Sequence, residues 1–140
     1  LEYSDKLNAS GRTALEVSLI NGACDVANVL LSLTSLSTDH IERLFFCSTR
    51  SRTFDSIRLL SEKFKNFPID SIRNSIGNSL LMESVRHGSY EVFKFLTAHG
   101  DYLDFSIINL ENQTIMDISS TSPNVGISRY LEKQYKNLIL

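Results

Sequence analysis

The sequence lacks the features typical of membrane proteins, secreted proteins and general nucleic-acid binders. No apolar stretch approaches the roughly 20 residues that a membrane-spanning helix needs. The first residues have neither the basic start nor the apolar run of a signal peptide. The formal net charge of −2 at pH 7 is unlike the basic balance of nucleic-acid-binding domains. We therefore expect an intracellular protein, cytoplasmic or nuclear, that neither inserts into membranes nor contacts nucleic acid directly.

Motifs for catalysis, phosphate binding and metal binding are also missing. Of the histidines His40, His87 and His99, neither His87 nor His99 is expected to have a partner nearby in the sequence for acid–base chemistry. Cys24 and Cys47 are far apart and lie among apolar neighbours, which predicts buried free thiols in a reducing compartment. There is no glycine-rich phosphate loop and no dinucleotide fingerprint. We therefore predict a protein that is not an enzyme and that uses no metal, cofactor or small-molecule substrate.

What the chain does contain is an internal repeat. The stretch GRTALEVSLINGACDVANVLLSL, residues 11–33, aligns without a gap on GNSLLMESVRHGSYEVFKFLTAH, residues 77–99. The offset between these two copies is 66 residues, which is twice 33. A weaker copy, NQTIMDISSTSPNVGISRYLEK, begins 35 residues after the second one. These spacings predict a single repeat domain whose four units, the second of them degenerate, lie at about 8–40, 41–73, 74–108 and 109–140.

The signals in each unit predict a helix, a tight turn and a second helix. Thr13, Ser79 and Thr114 are N-cap candidates for the first helices, and the two threonines have an acid three residues later. Gly22 and Gly88 suit a left-handed residue at the end of the first helix. The second helices then open with an acid near their positive end. Their acids are Asp25, Asp55 and Glu91, and their predicted apolar faces are Val26, Val29 and Leu30, and Val92, Phe95 and Leu96.

The period near 33, the Gly-x-Thr-x-Leu opening, the central glycine and the Val-x-x-Leu-Leu second helix resemble the ankyrin repeat. The resemblance covers about residues 7–133. The family's Thr-Pro-Leu-His is replaced by TALE, SLLM and TIMD. The resemblance implies an all-α repeat fold, an ankyrin-like solenoid of stacked helix-turn-helix units with projecting turns or β-hairpin loops. Because the chain does not begin with Met, we interpret it as a piece excised from a longer protein.

Ankyrin-like stacks present a concave surface made of loop tips and the exposed edge of the first helices. The resemblance therefore implies a non-enzymatic protein–protein interaction module that acts as a scaffold or adaptor. The alternative is an intramolecular regulatory or spacer domain that docks on the rest of its own chain. Carried over position by position, the partner-binding residues are Ser10, Arg12, Ile20, Asn21, Arg50, Ser51, Ile76, Asn78, Arg86, His87, Glu111 and Gln113.

The charges among these positions indicate the chemistry of the partner. A row of Arg12, Arg50, Arg86 and His87 on one face would favour an acidic or phosphorylated peptide. Positive charge also gathers between residues 43 and 65, where six basic residues face only two acids. That segment is either a solvated helix face or a docking patch for an acidic partner. Its basic residues are Arg43, Arg50, Arg52, Arg58, Lys63 and Lys65.

Overall fold

The structure, a computed structural model of the 140-residue chain, describes residues 12–98 and 105–139. Eight α-helices and no β-strand occur in these two ranges, which confirms the all-α class. The described connections between helices are turns and irregular segments rather than β-hairpins. None of the eight helices is both long enough and apolar enough to cross a bilayer. In chain order they are α1 (Ala14–Ile20), α2 (Cys24–Leu33), α3 (Thr38–Ser48), α4 (Asp55–Lys63), α5 (Leu80–His87), α6 (Tyr90–Ala98), α7 (Ile115–Ser119) and α8 (Val125–Ile139).

Contacts between helices follow the order of the chain. Each odd-numbered helix packs on the helix that follows it, which gives the pairs α1–α2, α3–α4, α5–α6 and α7–α8. The odd-numbered helices also contact one another in the order α1, α3, α5 and α7. Among the even-numbered helices, α2 contacts α4 and α6 contacts α8. Each pair therefore buries its apolar side mainly against the pairs next to it in sequence.

The core is continuous along this row of helices. Leu19, Leu44, Leu80 and Leu131, which come from four different helix pairs, are completely buried. Burying one such side chain stabilises a fold by about 1.5–3 kcal/mol. Serines at the ends of the odd-numbered helices keep the contacts between them close, and each donates its hydroxyl to the carbonyl three residues earlier. These buried serines are Ser18, Ser48, Ser84 and Ser119.

The N-caps of the odd-numbered helices confirm three predictions and correct one. The hydroxyls of Thr13, Ser79 and Thr114 accept hydrogen bonds from the amide three residues on, at 3.3, 3.1 and 3.3 Å. The second unit differs, because Ser37 caps α3 in a reciprocal arrangement with His40. This cap starts α3 at Thr38, before the predicted start of the second unit at residue 41. The four N-caps are 24, 42 and 35 residues apart, so the 66-residue offset does not divide into two units of 33.

Two predicted glycines end helices in the left-handed conformation. Gly22 has φ +73° and Gly88 has φ +70°. After each of them, the next backbone amide donates to the carbonyl of the serine five residues earlier. The two distances are 2.8 Å from Ala23 to Ser18 and 2.9 Å from Ser89 to Ser84. The same turn therefore closes α1 and α5.

The prediction of the apolar face of α2 is wrong. The face that is buried in the structure is rotated by part of a helical turn from the predicted one. Val26 and Val29 are 54% and 57% exposed, whereas Ala27 and Leu31 are buried. Ala27 and Leu31 are four residues apart and so share one face, the face that packs within the fold. The valines lie on the opposite side of the helix. In α6 the corresponding expectation is confirmed for Val92 and Leu96, which are both buried.

Serine hydroxyls join consecutive helix pairs at equivalent places. Each donates to a carbonyl at the end of the preceding odd-numbered helix. A carbonyl at that position either has no hydrogen-bond donor within its own helix or can accept a second one. Each bond contributes about 1 kcal/mol. The three bonds are Ser56 to Leu19 at 2.6 Å, Ser89 to Thr49 at 2.5 Å, and Ser122 to Val85 at 2.6 Å.

Candidate functional site

A cavity of about 380 Å³ opens beside helices α1, α3 and α5. Four arginines from separate parts of the sequence line it, together with one histidine and two acids. Arg12 precedes α1, Arg43 lies within α3, Arg50 follows α3, and Arg86 lies in the last turn of α5. We call this site the arginine pocket and define it by Arg12, Glu16, Arg43, Arg50, Glu83, Arg86 and His87.

Glu16 holds one side of the arginine pocket in place. Its side chain is 2% exposed, and its Oε2 accepts a hydrogen bond from Arg43 Nε at 2.9 Å. Thr13 Oγ1 donates to Oε1 at 3.1 Å, and Cys47 Sγ donates to Oε2 at 3.5 Å. A buried carboxylate is costly unless it is paired and hydrogen-bonded. The pair between α1 and α3 therefore fixes the stem of Arg43, whose side chain remains 56% exposed.

Cys47 is a donor in this cluster and not a nucleophile. Burial, followed by the neighbouring Glu16 carboxylate, raises the pKa of its thiol to about 12. Only the thiolate reacts as a nucleophile. At neutral pH the group is a protonated thiol, as the prediction of a buried free cysteine requires. Cys24 is also free and is half-buried.

Glu83 holds the other side of the pocket, and one of its oxygens is poorly satisfied. Its side chain is 8% exposed, and Oε1 accepts a hydrogen bond from Asn74 Nδ2 at 2.5 Å. Oε2 lies 3.5 Å from Arg86 Nη1 and 3.8 Å from His87 Nε2, and it accepts no hydrogen bond in the structure. Glu83 therefore orients Arg86 by charge, while the Arg86 side chain stays 50% exposed.

The imidazole of His87 lies close enough to three of the arginines for their charges to change its pKa. Burial, together with the guanidiniums of Arg50, Arg86 and Arg12, lowers the pKa of its imidazole to about 4. Glu83 at 3.8 Å favours the protonated form, but burial and three guanidiniums act against it. His87 is therefore neutral at physiological pH. The predicted row of Arg12, Arg50, Arg86 and His87 does come together, and Arg43 joins it without having been predicted as a site residue.

Two predicted partner contacts are corrected by the structure. Ser51 and Asn78 are each 1% exposed and so have no side-chain surface to offer a partner. Asn78 Oδ1 instead accepts a hydrogen bond from Asn109 Nδ2 at 2.8 Å, which joins two loops inside the protein. Ser51 is buried in the turn between α3 and α4, where its hydroxyl accepts from Thr53 N at 3.5 Å. Both residues belong to the scaffold of the site.

The loop-tip positions Ile76, Glu111 and Gln113 lie in two turns with the same hydrogen bonds. Asn74 Oδ1 accepts from the amides two and four residues later, at 3.2 and 2.9 Å. Asn109 Oδ1 does the same at 2.9 and 2.9 Å. The turns also contact each other, through the amide that follows Asn109 and the carbonyl of Ile76. Glu111 is exposed, whereas Gln113 is half-buried and accepts a hydrogen bond from Asn109.

Sequence reasoning missed the roles of Asn74 and Asn109. Both stand five residues before an N-cap, at Ser79 and Thr114. Asn8 stands five residues before Thr13 in the sequence, although it lies outside the described residues. Asparagine recurring at this place was the signal that would have identified them, because its side chain closes turns on its own backbone.

The remaining predicted contacts lie apart from the arginine pocket. Ile20 is half-buried and Asn21 is exposed at the end of α1. Ser10 lies outside the described residues. The residues of the basic segment 43–65 lie in two different environments. Arg43 and Arg50 line the arginine pocket. Arg58 pairs with Asp55 at 3.5 Å, and both side chains are about half exposed. Arg58 and Lys63 thus lie on an exposed face of α4.

A larger cavity of about 500 Å³ lies between α4 and α6. It is lined mainly by aromatic side chains, with Phe54 stacked on Phe95 at 6.2 Å and the ammonium of Lys94 over the Tyr90 ring at 5.5 Å. The ammonium of Lys94 therefore already contacts the aromatic ring of Tyr90. The arginine pocket, in contrast, combines two buried carboxylates with four guanidiniums.

Within residues 12–98 and 105–139, no three His, Cys, Asp or Glu side chains lie close enough together to hold a metal ion. No protein-family model matches the sequence, and no curated protein matches it significantly.

Proposed function

We propose that this chain is a non-enzymatic protein–protein interaction module, a scaffold or adaptor within a larger protein. It binds an acidic or phosphorylated segment of a partner protein in the arginine pocket. In this proposal the four helix pairs are ankyrin-like units stacked in chain order, and the partner is a protein or peptide rather than a small-molecule substrate.

Three repeated features support an ankyrin-like stack. Threonine or serine caps α1, α5 and α7 in the same way. A left-handed glycine closes both α1 and α5. A serine hydroxyl joins each helix pair to the preceding one. Repeat proteins are built in this way, because a single unit cannot bury its own apolar face and depends on its neighbours. The unequal spacing of the N-caps means that the units differ in length.

One observation carries the binding function: four arginines from three consecutive units converge on a single cavity. Guanidiniums bind carboxylate and phosphate oxygens through paired, parallel hydrogen bonds. The two acids in the pocket are buried and committed to the fold, whereas Arg43 and Arg86 are 56% and 50% exposed. The surface that a partner meets is therefore positive, although the whole chain carries a net charge of −2.

Charge reversal at the pocket tests this function. The double variant Arg50→Glu/Arg86→Glu should lose the partner that the wild-type domain captures from cell extract by crosslinking. The variant Arg52→Glu/Arg129→Glu changes the net charge by the same amount at exposed positions outside the pocket, so it should retain that partner. An excess of a peptide rich in Asp and Glu should compete with the captured protein.

Folding of each variant is checked by far-UV circular dichroism and thermal unfolding. Arg86→Glu places a second acid beside Glu83, so Arg50→Glu alone serves as a milder variant. The proposal is overturned if the pocket variants fold and capture the same proteins as the wild type, in the same amounts.

A further inference from the structure

The charge balance of the arginine pocket indicates which kind of anion it fits best. Four guanidiniums face the two carboxylates of Glu16 and Glu83, which leaves two positive charges in excess. His87 adds no charge at neutral pH, because its imidazole is neutral there. A single carboxylate side chain would offset one of these charges. A phosphomonoester carries about −1.5 to −2 at pH 7 and would offset nearly both.

The placement of the arginines agrees with this charge balance. They approach the cavity from three helix pairs: Arg12 from the start of α1, Arg43 and Arg50 from α3 and the turn after it, and Arg86 from the end of α5. The three terminal oxygens of a phosphomonoester point in different directions and can accept from donors on several sides. A carboxylate has two oxygens in one plane and is matched by one guanidinium fork.

The buried acids orient two of the four arginines before any ligand arrives. Arg43 is held through Nε by Glu16 at 2.9 Å, and Arg86 lies 3.5 Å from Glu83. Each acid has a further donor from the protein, Thr13 for Glu16 and Asn74 for Glu83. A binding site whose charged groups are already oriented loses less conformational entropy when the ligand binds. The Arg50 side chain makes no hydrogen bond or ion pair among the described residues, and it is exposed at the rim.

We propose that the arginine pocket selects a phosphorylated serine or threonine side chain over a carboxylate, an inference that rests on the proposed function above. The cavity of about 380 Å³ is near the lower end of the range for small-ligand sites, so it accommodates one side chain rather than a folded segment. Phosphorylation of the partner would then control whether it binds.

The test uses small probes whose only difference is the charged group. N-acetyl-phosphoserine methylamide, N-acetyl-glutamate methylamide and N-acetyl-serine methylamide are titrated into the ¹⁵N-labelled chain, and binding is followed by the arginine Nε–Hε resonances. We expect the phosphoserine probe to bind at least tenfold more tightly than the glutamate probe, and the serine probe not to bind. The largest shifts should fall on Arg50 and Arg86.

Lysine variants distinguish the contribution of the planar guanidinium geometry to binding from the contribution of positive charge. Arg50→Lys and Arg86→Lys keep the positive charge but lose the planar fork, and each should weaken phosphoserine binding at least tenfold. Arg52→Lys is the matched control outside the pocket and should leave the affinity unchanged. Since the Arg50 side chain is exposed and makes no hydrogen bond among the described residues, Arg50→Lys keeps the test valid even if Arg86→Lys fails to fold.

The outcomes distinguish this inference from the function on which it rests. If glutamate binds as tightly as phosphoserine, and both depend on Arg50, phosphate selectivity is overturned while acidic-segment binding stands. If neither probe binds, or phosphoserine binds without dependence on Arg50 and Arg86, both proposals are overturned. Inorganic phosphate that binds as tightly as the phosphoserine probe would assign the pocket to a free anion. A single-stranded oligonucleotide that displaces the phosphoserine probe would assign it to nucleic acid. Either of these results overturns the inference.

Discussion

The side-chain amide of Asn109 donates a hydrogen bond to the side-chain oxygen of Asn78 at 2.8 Å, and both residues are buried. This contact joins the loop before α5 to the loop before α7. Asn109 also closes its own turn through Oδ1, as Asn74 does in the preceding loop. One asparagine per loop thus fixes the path of the chain into the next helix. Turns closed by a side chain in this way do not need a β-hairpin.

Replacing Asn109 should destabilise the fold without changing a residue of the arginine pocket. Asn109→Ala leaves the amides of Glu111 and Gln113 and the oxygen of Asn78 without their partner. We expect the free energy of unfolding to fall by about 2–3 kcal/mol, measured by urea denaturation. Asn66→Ala, at an exposed loop position, is the control and should change it by less than about 0.5 kcal/mol. Equal losses in the two variants would contradict a structural role for Asn109.

The two left-handed glycines should respond differently to alanine. Gly22 and Gly88 have nearly the same φ, so each alanine should lose about 1–2 kcal/mol from the backbone alone. A Cβ at Gly88 would lie 2.7 Å from Cγ of Pro123, whereas a Cβ at Gly22 would lie 3.6 Å from its nearest neighbour, the hydroxyl of Thr53. Gly88→Ala should therefore cost about 1–3 kcal/mol more. Thermal and urea unfolding measure the difference, and equal effects would show that the loop at Pro123 moves freely.

The Cys47 thiol should remain protonated for as long as the protein is folded. Its pKa is raised from 9.0 in the unfolded chain to about 12. Its contribution to stability is therefore complete below pH 9 and is lost as the pH rises towards 12, at about 1.4 kcal/mol per pH unit. In a Cys24→Ser variant, alkylation of the Cys47 thiolate by iodoacetamide should appear only together with unfolding seen by circular dichroism. A thiolate that forms near pH 9 in the folded protein would contradict this.

The His87 imidazole should titrate well below its ordinary range. Because its pKa is lowered from 6.5 to about 4, the neutral form stabilises the fold above pH 6.5, and this stability is lost as the pH falls towards 4. NMR titration of the ring protons measures the midpoint. Arg50→Gln should raise it, since Arg50 is the strongest of the charges that lower it. Arg52→Gln should not.

The same titration gives a second readout of ligand binding. A bound anion offsets the field of Arg12, Arg50 and Arg86 at the imidazole, so the phosphoserine probe should move the midpoint to higher pH. Binding then takes up a proton at low pH, and the protonated imidazole of His87 would form an ion pair with Glu83, whose Oε2 lies 3.8 Å from Nε2 and accepts no hydrogen bond. A midpoint that does not move at saturating probe would place the anion away from His87.

The sequence by itself determined the local structure at several helix ends. The caps at Thr13, Ser79 and Thr114, the left-handed glycines Gly22 and Gly88, and the all-α class were predicted correctly. Each of these depends on side chains and backbone groups within about five residues, so a short stretch contains all the information. The start of α3 was missed because a histidine completes the cap of Ser37, a pairing that common capping patterns do not include.

Only the tertiary structure decided which side chains stay free. Ser51 and Asn78 were predicted to contact a partner, but packing between consecutive helix pairs buries them. The inward face of α2 was likewise set by its neighbours, since Val26 and Ala27 are both apolar and the sequence does not distinguish them. The arginine pocket also belongs to this level. Its pair between Glu16 and Arg43 spans 27 residues, and its charge field exists because three helices pack side by side and bring distant guanidiniums to one cavity.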